Sequence, residues 1–269
     1  MAAGHVRDYL QKWFGLTWLN TVCRQADLDV HDMRYGQQAR LVTDAAKIGR
    51  VITVSSDVAA EGRSGPVIFI ANHPFGIADV LAATEFVDSI RSDYRIVANR
   101  LAGGLHFNDR KLIWVDPFHR EQSRGLNQVA LRQCISHLNG GGALLFFPGG
   151  ICSHFDFRSW SVTDPPWTDH AARLSAQSGA SIVPMYFAGS NSLLFQALGL
   201  IHPRLRTMLL LREFARLRGK TVYLSVGRMI APDELQSQGS SREVTSFLRA
   251  RVYEQRLRRT VASSTPESS

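Results

Sequence analysis

The sequence predicts one α/β domain, with a mostly parallel or mixed central sheet flanked by helices and preceded by N-terminal helices. Three observations carry this. From residue 50 onward, short β-branched and aromatic runs alternate with helical stretches, the pattern of strands joined by crossover helices. Two runs, Val67-Ile68-Phe69-Ile70 and Leu144-Leu145-Phe146-Phe147, are apolar without interruption, as strands buried on both faces must be. No Gly-, Pro- or Ser-rich linker divides the middle of the 269-residue chain, which is long enough to bury one large core.

Taken in order, residues 5–26 carry apolar groups with helical period, including Tyr9, Trp13, Phe14 and Trp18. Two readings stay open for this helix: docking on the core, or anchoring at a membrane interface, where Trp and Tyr suit the headgroup level. A second helix is predicted over 33–48. Strands follow at 50–55, 67–71, 95–99, 112–116, 143–147, 181–187 and 221–226, and helices at 78–90, 122–138, 168–178, 191–198 and 204–218. Thr168 and Asp169 can cap one helix start, and Gly140 and Gly179 can stop two ends. From Val261 the composition turns small and polar, which predicts a disordered tail. The expected organisation is a helical segment over 1–48, the main domain over 50–260 and a tail over 261–269.

The formal net charge is +8, which favours polyanionic partners, either nucleic acid or an anionic lipid surface. Between Arg204 and Lys220 six basic residues face the single acid Glu213, interleaved with Leu205, Met208, Leu209, Leu210, Leu211, Phe214 and Leu217. Cations and apolar groups at helical spacing suit a helix lying in a membrane interface. A second basic run, six arginines between Arg242 and Arg259, reads as a solvated helix face. No RNA-recognition, zinc-finger or helix-turn-helix pattern is present, so the expected anionic partner is a membrane surface and not nucleic acid. Cys23, Cys134 and Cys152 are odd in number and widely spaced, which predicts neither a disulfide framework nor a metal site. Arg7, Asp8 and Lys12 break up any N-terminal signal peptide. No run reaches the roughly 18–20 apolar residues that span a bilayer; the best, 192–201, is short and contains Gln196. Contact with a membrane would be peripheral.

Chemistry is concentrated in Asn72-His73-Pro74-Phe75-Gly76-Ile77-Ala78-Asp79. His73 directly follows a buried strand, and Asp79 falls just inside the next helix. Pro74 and Gly76 bend the connection, which could bring the carboxylate back onto one imidazole nitrogen and leave the other free to take a proton from a hydroxyl or amine. Taken by spacing alone, a lone histidine near a strand end is more often structural.

The surrounding segments supply a resemblance. Asn-His-Pro-x-Gly-x-x-Asp is the first motif of the hemolysin-like, lyso-ornithine-lipid branch of the glycerolipid (lysophospholipid) acyltransferase superfamily. Leu112-Ile113-Trp114-Val115-Asp116-Pro117 resembles its second motif, Phe147-Pro148-Gly149-Gly150 its third, and Val183-Pro184-Met185-Tyr186-Phe187 its fourth; Asp164-Pro165-Pro166-Trp167 and Gly189-Ser190-Asn191-Ser192 also fit that branch. The resemblance covers about residues 51–230. It implies acyl transfer from an acyl thioester, on coenzyme A or acyl carrier protein, to the hydroxyl of a lysolipid. His73 would be the general base and Asp79 its orienting carboxylate, with no bound cofactor and no metal. Asn72, Gly76, Asp116, Pro148, Gly149, Gly150 and Pro184 would line the substrate site. The protein would be peripheral, on the cytoplasmic face of the inner membrane.

One departure stands out. The third segment runs Phe147-Pro148-Gly149-Gly150-Ile151-Cys152-Ser153-His154, without the glutamate or arginine that the superfamily carries there. A phosphate monoester favours a bidentate guanidinium, so the expected acceptor is a lyso-aminolipid or other lysolipid lacking that phosphate. Arg120, His154 and Arg158 are the candidates to supply charge instead. No Gly-x-Ser-x-Gly elbow argues for an acyl-enzyme, and Cys152 reads as a small buried residue. The rival expectation is a non-catalytic or altered lipid-binding protein on an acyltransferase scaffold.

Overall fold

The computed structural model describes residues 18, 21–22, 34–99, 111–116, 124–201 and 203–262. In chain order its elements are α1 (Tyr35–Ala45), β1 (Gly49–Val54), α2 (Ser56–Glu61), β2 (Val67–Ala71), α3 (Ile77–Ile90), β3 (Tyr94–Asn99), β4 (Leu112–Val115) and α4 (Arg124–Asn139). Then come β5 (Ala143–Phe146), β6 (His154–Asp156), β7 (Ser161–Thr163), α5 (His170–Ser178), β8 (Ser181–Ala188) and α6 (Leu193–Ile201). The chain continues through α7 (Pro203–Met208), α8 (Leu210–Arg216), β9 (Thr221–Val226), α9 (Pro232–Gln236) and α10 (Ser241–Ala262).

Seven strands form one mixed sheet in the order β1-β9-β8-β2-β5-β3-β4. All neighbours are parallel except β8 and β9. β6 and β7 form a separate antiparallel hairpin. The uninterrupted apolar run predicted for β2 is explained by its central place: every residue is buried. Its side chains alternate across the sheet. Val67, Phe69 and Ala71 join α1, α3 and α8 on one face, while Ile68 and Ile70 join α4, α5 and α10 on the other. Each such fully buried large side chain contributes about 1.5–3 kcal/mol relative to exposure.

At the strands' starting edge, buried Arg91 closes the turns. It makes paired bonds of 2.7 Å to both Asp93 carboxylate oxygens and donates to Gly65 O at 2.8 Å and Gly141 O at 2.7 Å.

The predicted helix over 204–218 is two helices, α7 and α8, broken at Leu209. Leu209, Phe214 and Leu217 are buried, so much of the apolar pattern read as lipid-facing serves the core. The exposed apolar groups of this region sit mainly on α6: Leu193 is 88% and Ile201 72% exposed, with Leu194, Leu200 and Met208 of α7 beside them in the exposed set. Trp18 packs edge-on against Phe214 at 5.6 Å and Val22 is buried in the core, which favours docking for this part of the first helix. The rest of its predicted span lies outside the described residues, as do Arg120 and residues 263–269. α10 runs on to Ala262, past the predicted start of the tail. Val244, Leu248 and Val252 dock it on the sheet, while Arg242 and Arg256 lie exposed and Arg249 donates to Thr163 Oγ1 and Asp164 O. The sequence did not announce the β6–β7 hairpin, whose three-residue strands are too short to show a period.

Candidate active site

The site is built where β2 ends. Asn72 is buried, and its side-chain amide pairs with the backbone of Phe187 on β8: Nδ2 donates to Phe187 O at 2.9 Å and Oδ1 accepts from Phe187 N at 2.6 Å. This mimics one more rung of the sheet and fixes the chain as it leaves β2. His73 is then held through its backbone. Its N–H donates to Asp164 Oδ1 at 3.1 Å, and its carbonyl accepts from Ser153 N at 2.8 Å. Asp164 also accepts from the Ser153 hydroxyl and from Trp167 Nε1. One buried carboxylate thus ties two segments, around Ser153 and around 164–167, to the histidine.

The turn into α3 depends on Gly76, whose φ is +79°. A Cβ there would lie 2.9 Å from Leu210 Cδ2 and 3.0 Å from Cys152 Sγ, so both conformation and close approach require glycine. The turn brings Asp79, fully buried, under the loop. Its Oδ2 accepts from Phe75 N at 2.8 Å and Gly76 N at 2.9 Å, capping the helix start, and lies 3.1 Å from His73 Nδ1. That last contact is at ion-pair distance, but the ring N–H is not aimed well enough for a hydrogen bond. Asp79 therefore has two jobs, helix cap and partner of the imidazole.

With Nδ1 on Asp79, the remaining ring nitrogen is the one available for proton transfer. His73 lies against the Phe147 ring at 4.4 Å and lines a cavity of about 200 Å³. The cavity lies at the C-terminal ends of β3, β4 and β5 and the start of α3, roofed by α6, α7 and α8, where α/β sheets place their sites. Its lining is mostly apolar, with Val80, Ile96, Trp114, Phe147 and Leu210 among the walls. Burial opposes the His73 imidazolium, but Cys152 and the Asp79 carboxylate outweigh it and hold its pKa well above 6.5. Burial raises the Asp79 carboxyl, against the pull of His73 and the two N–H donors.

The other predicted site residues are distributed unevenly. Gly76 and Gly150 line the cavity with His73. Pro148 and Gly149 form the adjoining turn: Pro148 O accepts from Thr168 N at 3.2 Å, and Gly149 packs against Asp164. Asn72, Asp116 and Pro184 support the frame. Asp116 is pinned to α4 through both backbone groups by Asn127 at 2.9 Å, and Pro184 sits within β8 opposite Ile70. Two of the candidates for charge, His154 and Arg158, are not among the residues lining the cavity, and Arg120 lies outside the described residues. Arg158 is exposed at the β6–β7 turn. His154 sits at the base of that hairpin with Nδ1 3.3 Å from Cys152 O, and burial lowers its pKa. Two residues of the site, Asp164 and Arg206, could not be assigned from the sequence. Asp164 stood in a segment cited for its resemblance to the family without a role of its own, and Arg206, read as a lipid-facing cation, is buried in the cavity wall. No local signal set Arg206 apart, since Arg204 shares α7 with it and α7 holds a single leucine.

A histidine in contact with a buried carboxylate, opening on an apolar cavity at the strand ends, is an arrangement that can transfer a proton on an apolar substrate. The family model described as Acyltransferase matches residues 5–260, and the chain belongs to that family. It is 24% identical over 198 residues to the lyso-glycine lipid O-acyltransferase of Phocaeicola vulgatus, covering 71% of this chain and 68% of that protein. The crystal structure of the 1-acyl-sn-glycerophosphate (LPA) acyltransferase PlsC from Thermotoga maritima aligns over 98% of this chain and 99% of its own, with a TM-score of 0.48 and 15% identity.

Proposed function

We propose that this protein transfers an acyl chain from an acyl thioester, carried on coenzyme A or acyl carrier protein, to the hydroxyl of a lysolipid lacking a phosphate monoester. The observation that carries this is the His73–Asp79 contact on the cavity wall in a chain of the acyltransferase family. The likeness to a lyso-glycine lipid O-acyltransferase supports the acceptor class.

In this reading the acceptor oxygen attacks the thioester carbonyl while His73 takes the hydroxyl proton. Asp79 keeps the ring oriented and stabilises the imidazolium that forms. The tetrahedral intermediate collapses, the ester C–O bond remains, the C–S bond breaks, and the leaving thiolate takes the proton back from His73. Apolar walls exclude water, which disfavours hydrolysis of the thioester. The reaction would take place on an anionic membrane surface at the cytoplasmic face, with the protein peripheral. Among the described residues no helix is long and apolar enough to cross a membrane, and the exposed apolar face of α6 lies beside the cavity roof.

The test is acyl transfer by purified protein with acyl-CoA and acyl carrier protein donors, lysolipids in vesicles, and thiol release as readout. His73→Ala should lower turnover by about 10²–10⁴-fold while vesicle binding persists. Turnover unchanged in that variant would overturn His73 as base. No transfer by the wild type with any donor–acceptor pair would favour a lipid-binding role on this scaffold.

A further inference from the structure

Arg206 is the odd residue of the cavity. It is only 6% exposed, yet lines the same cavity as His73. Its guanidinium carbon stands 5.9 Å from the Phe195 ring centre, and its side chain lies along Gly199, where a Cβ would be 3.1 Å from Arg206 Cδ and 3.5 Å from Nη1. Among the described residues no carboxylate pairs with it. Glu213, the acid of its own basic run, is taken by Ser192, Arg212 and Arg216. Burial pulls the Arg206 pKa down, countered only by Cys152, and the neighbouring His154, its pKa lowered, adds little positive charge. An unpaired cation in an apolar wall is costly to hold, and a planar guanidinium binds a carboxylate through two parallel hydrogen bonds.

We propose that Arg206 is the acceptor-recognition residue, binding a single carboxylate on the lysolipid headgroup and so holding its hydroxyl beside His73. One guanidinium balances a monoanion. A phosphate monoester would leave its second charge uncompensated in the apolar wall, so the site selects a carboxylate-bearing acceptor such as an N-(3-hydroxyacyl) amino acid. This rests on the acyl-transfer reading above but is tested apart from it.

The first measurement is binding, independent of turnover: calorimetry of N-palmitoylglycine, which has no reactive hydroxyl, against its uncharged amide. The wild type and His73→Ala should prefer the acid, and Arg206→Met should remove the preference by weakening acid binding about 10- to 100-fold. Arg206→Met fills the space without charge and should fold with an unchanged or higher Tm, since it removes an unpaired buried cation. Arg206→Lys should recover part of the affinity. The second measurement is kinetic, with N-(3-hydroxypalmitoyl)glycine, its amide, lysophosphatidic acid and lysophosphatidylglycerol as acceptors. Arg206→Met should raise KM for the carboxylate acceptor with little change in kcat and none in KM for the acyl thioester. Equal losses for acid and amide, a shift confined to the thioester KM, or a wild-type preference for either phospholipid would overturn the proposal. Acid-selective binding without turnover on any acceptor would uphold Arg206 and overturn acyl transfer; turnover without acid selectivity would do the reverse.

Discussion

At the scale of single residues, the site makes a signed pH prediction. The pKa of His73 is held above 6.5, so the neutral form that the proposed base role requires accumulates only above that raised value. Acyl transfer should therefore climb with pH through a midpoint above 6.5, read from kcat/KM with a donor that does not titrate there. A midpoint below 6.5 would contradict the pairing with Asp79. Asp79→Asn keeps an acceptor for the Phe75 and Gly76 N–H groups but removes the charge. It should fold, lose turnover and shift the midpoint downward. Asp79→Ala leaves buried donors unpaired and should cost about 1–3 kcal/mol in urea titration. Asp79 is thus separable into cap and catalytic partner by comparing the two variants. Gly76→Ala meets both a positive φ and two contacts near 3.0 Å; a loss of about 1 kcal/mol or more in the same titration is expected.

At the scale of elements, the spacing from His73 to Asp79 lies within one loop and the first turn of α3, so their pairing was open to inference from sequence. Loop, glycine and helix cap are all local. The roof formed by α6, α7 and α8 was not. Its leucines and arginines have the composition of an interfacial helix, but composition does not say which side of a helix faces in. The chain breaks at Leu209 and turns Leu209 and Phe214 into the core, leaving α6 with the exposed apolar face. Leu193→Ser with Ile201→Ser should therefore reduce co-sedimentation with anionic vesicles without lowering Tm, since neither side chain is buried. Unchanged sedimentation would remove α6 from the membrane contact. Exposed Arg216, Arg218 and Lys220 should make that sedimentation salt-sensitive.

At the scale of the whole molecule, the sheet sets the working end. β2, β3, β4 and β5 run parallel, so their C-terminal ends open on one cavity, while Arg91 fastens the turns at the opposite edge. Arg91→Ala strips a buried guanidinium from Asp93 and two backbone carbonyls and should cost at least about 2 kcal/mol. Its effect on kcat should be small, because the site lies at the other end of the strands. A large kcat loss with normal stability would show coupling across the sheet that the packing does not suggest.

The sequence by itself determined the strand–helix alternation, the buried central strand β2 and the local loop that joins His73 to Asp79. These follow from periodicity, apolar run length and the demands of proline and glycine, all of which act within a few residues. Only the tertiary structure decided that Asn72 pairs with Phe187, that Asp164 holds the backbone of His73, and that Arg206 turns from the helix run into the cavity. Those contacts join residues roughly 90 to 130 positions apart, and burial assigns them by packing one element against another, which no local pattern records.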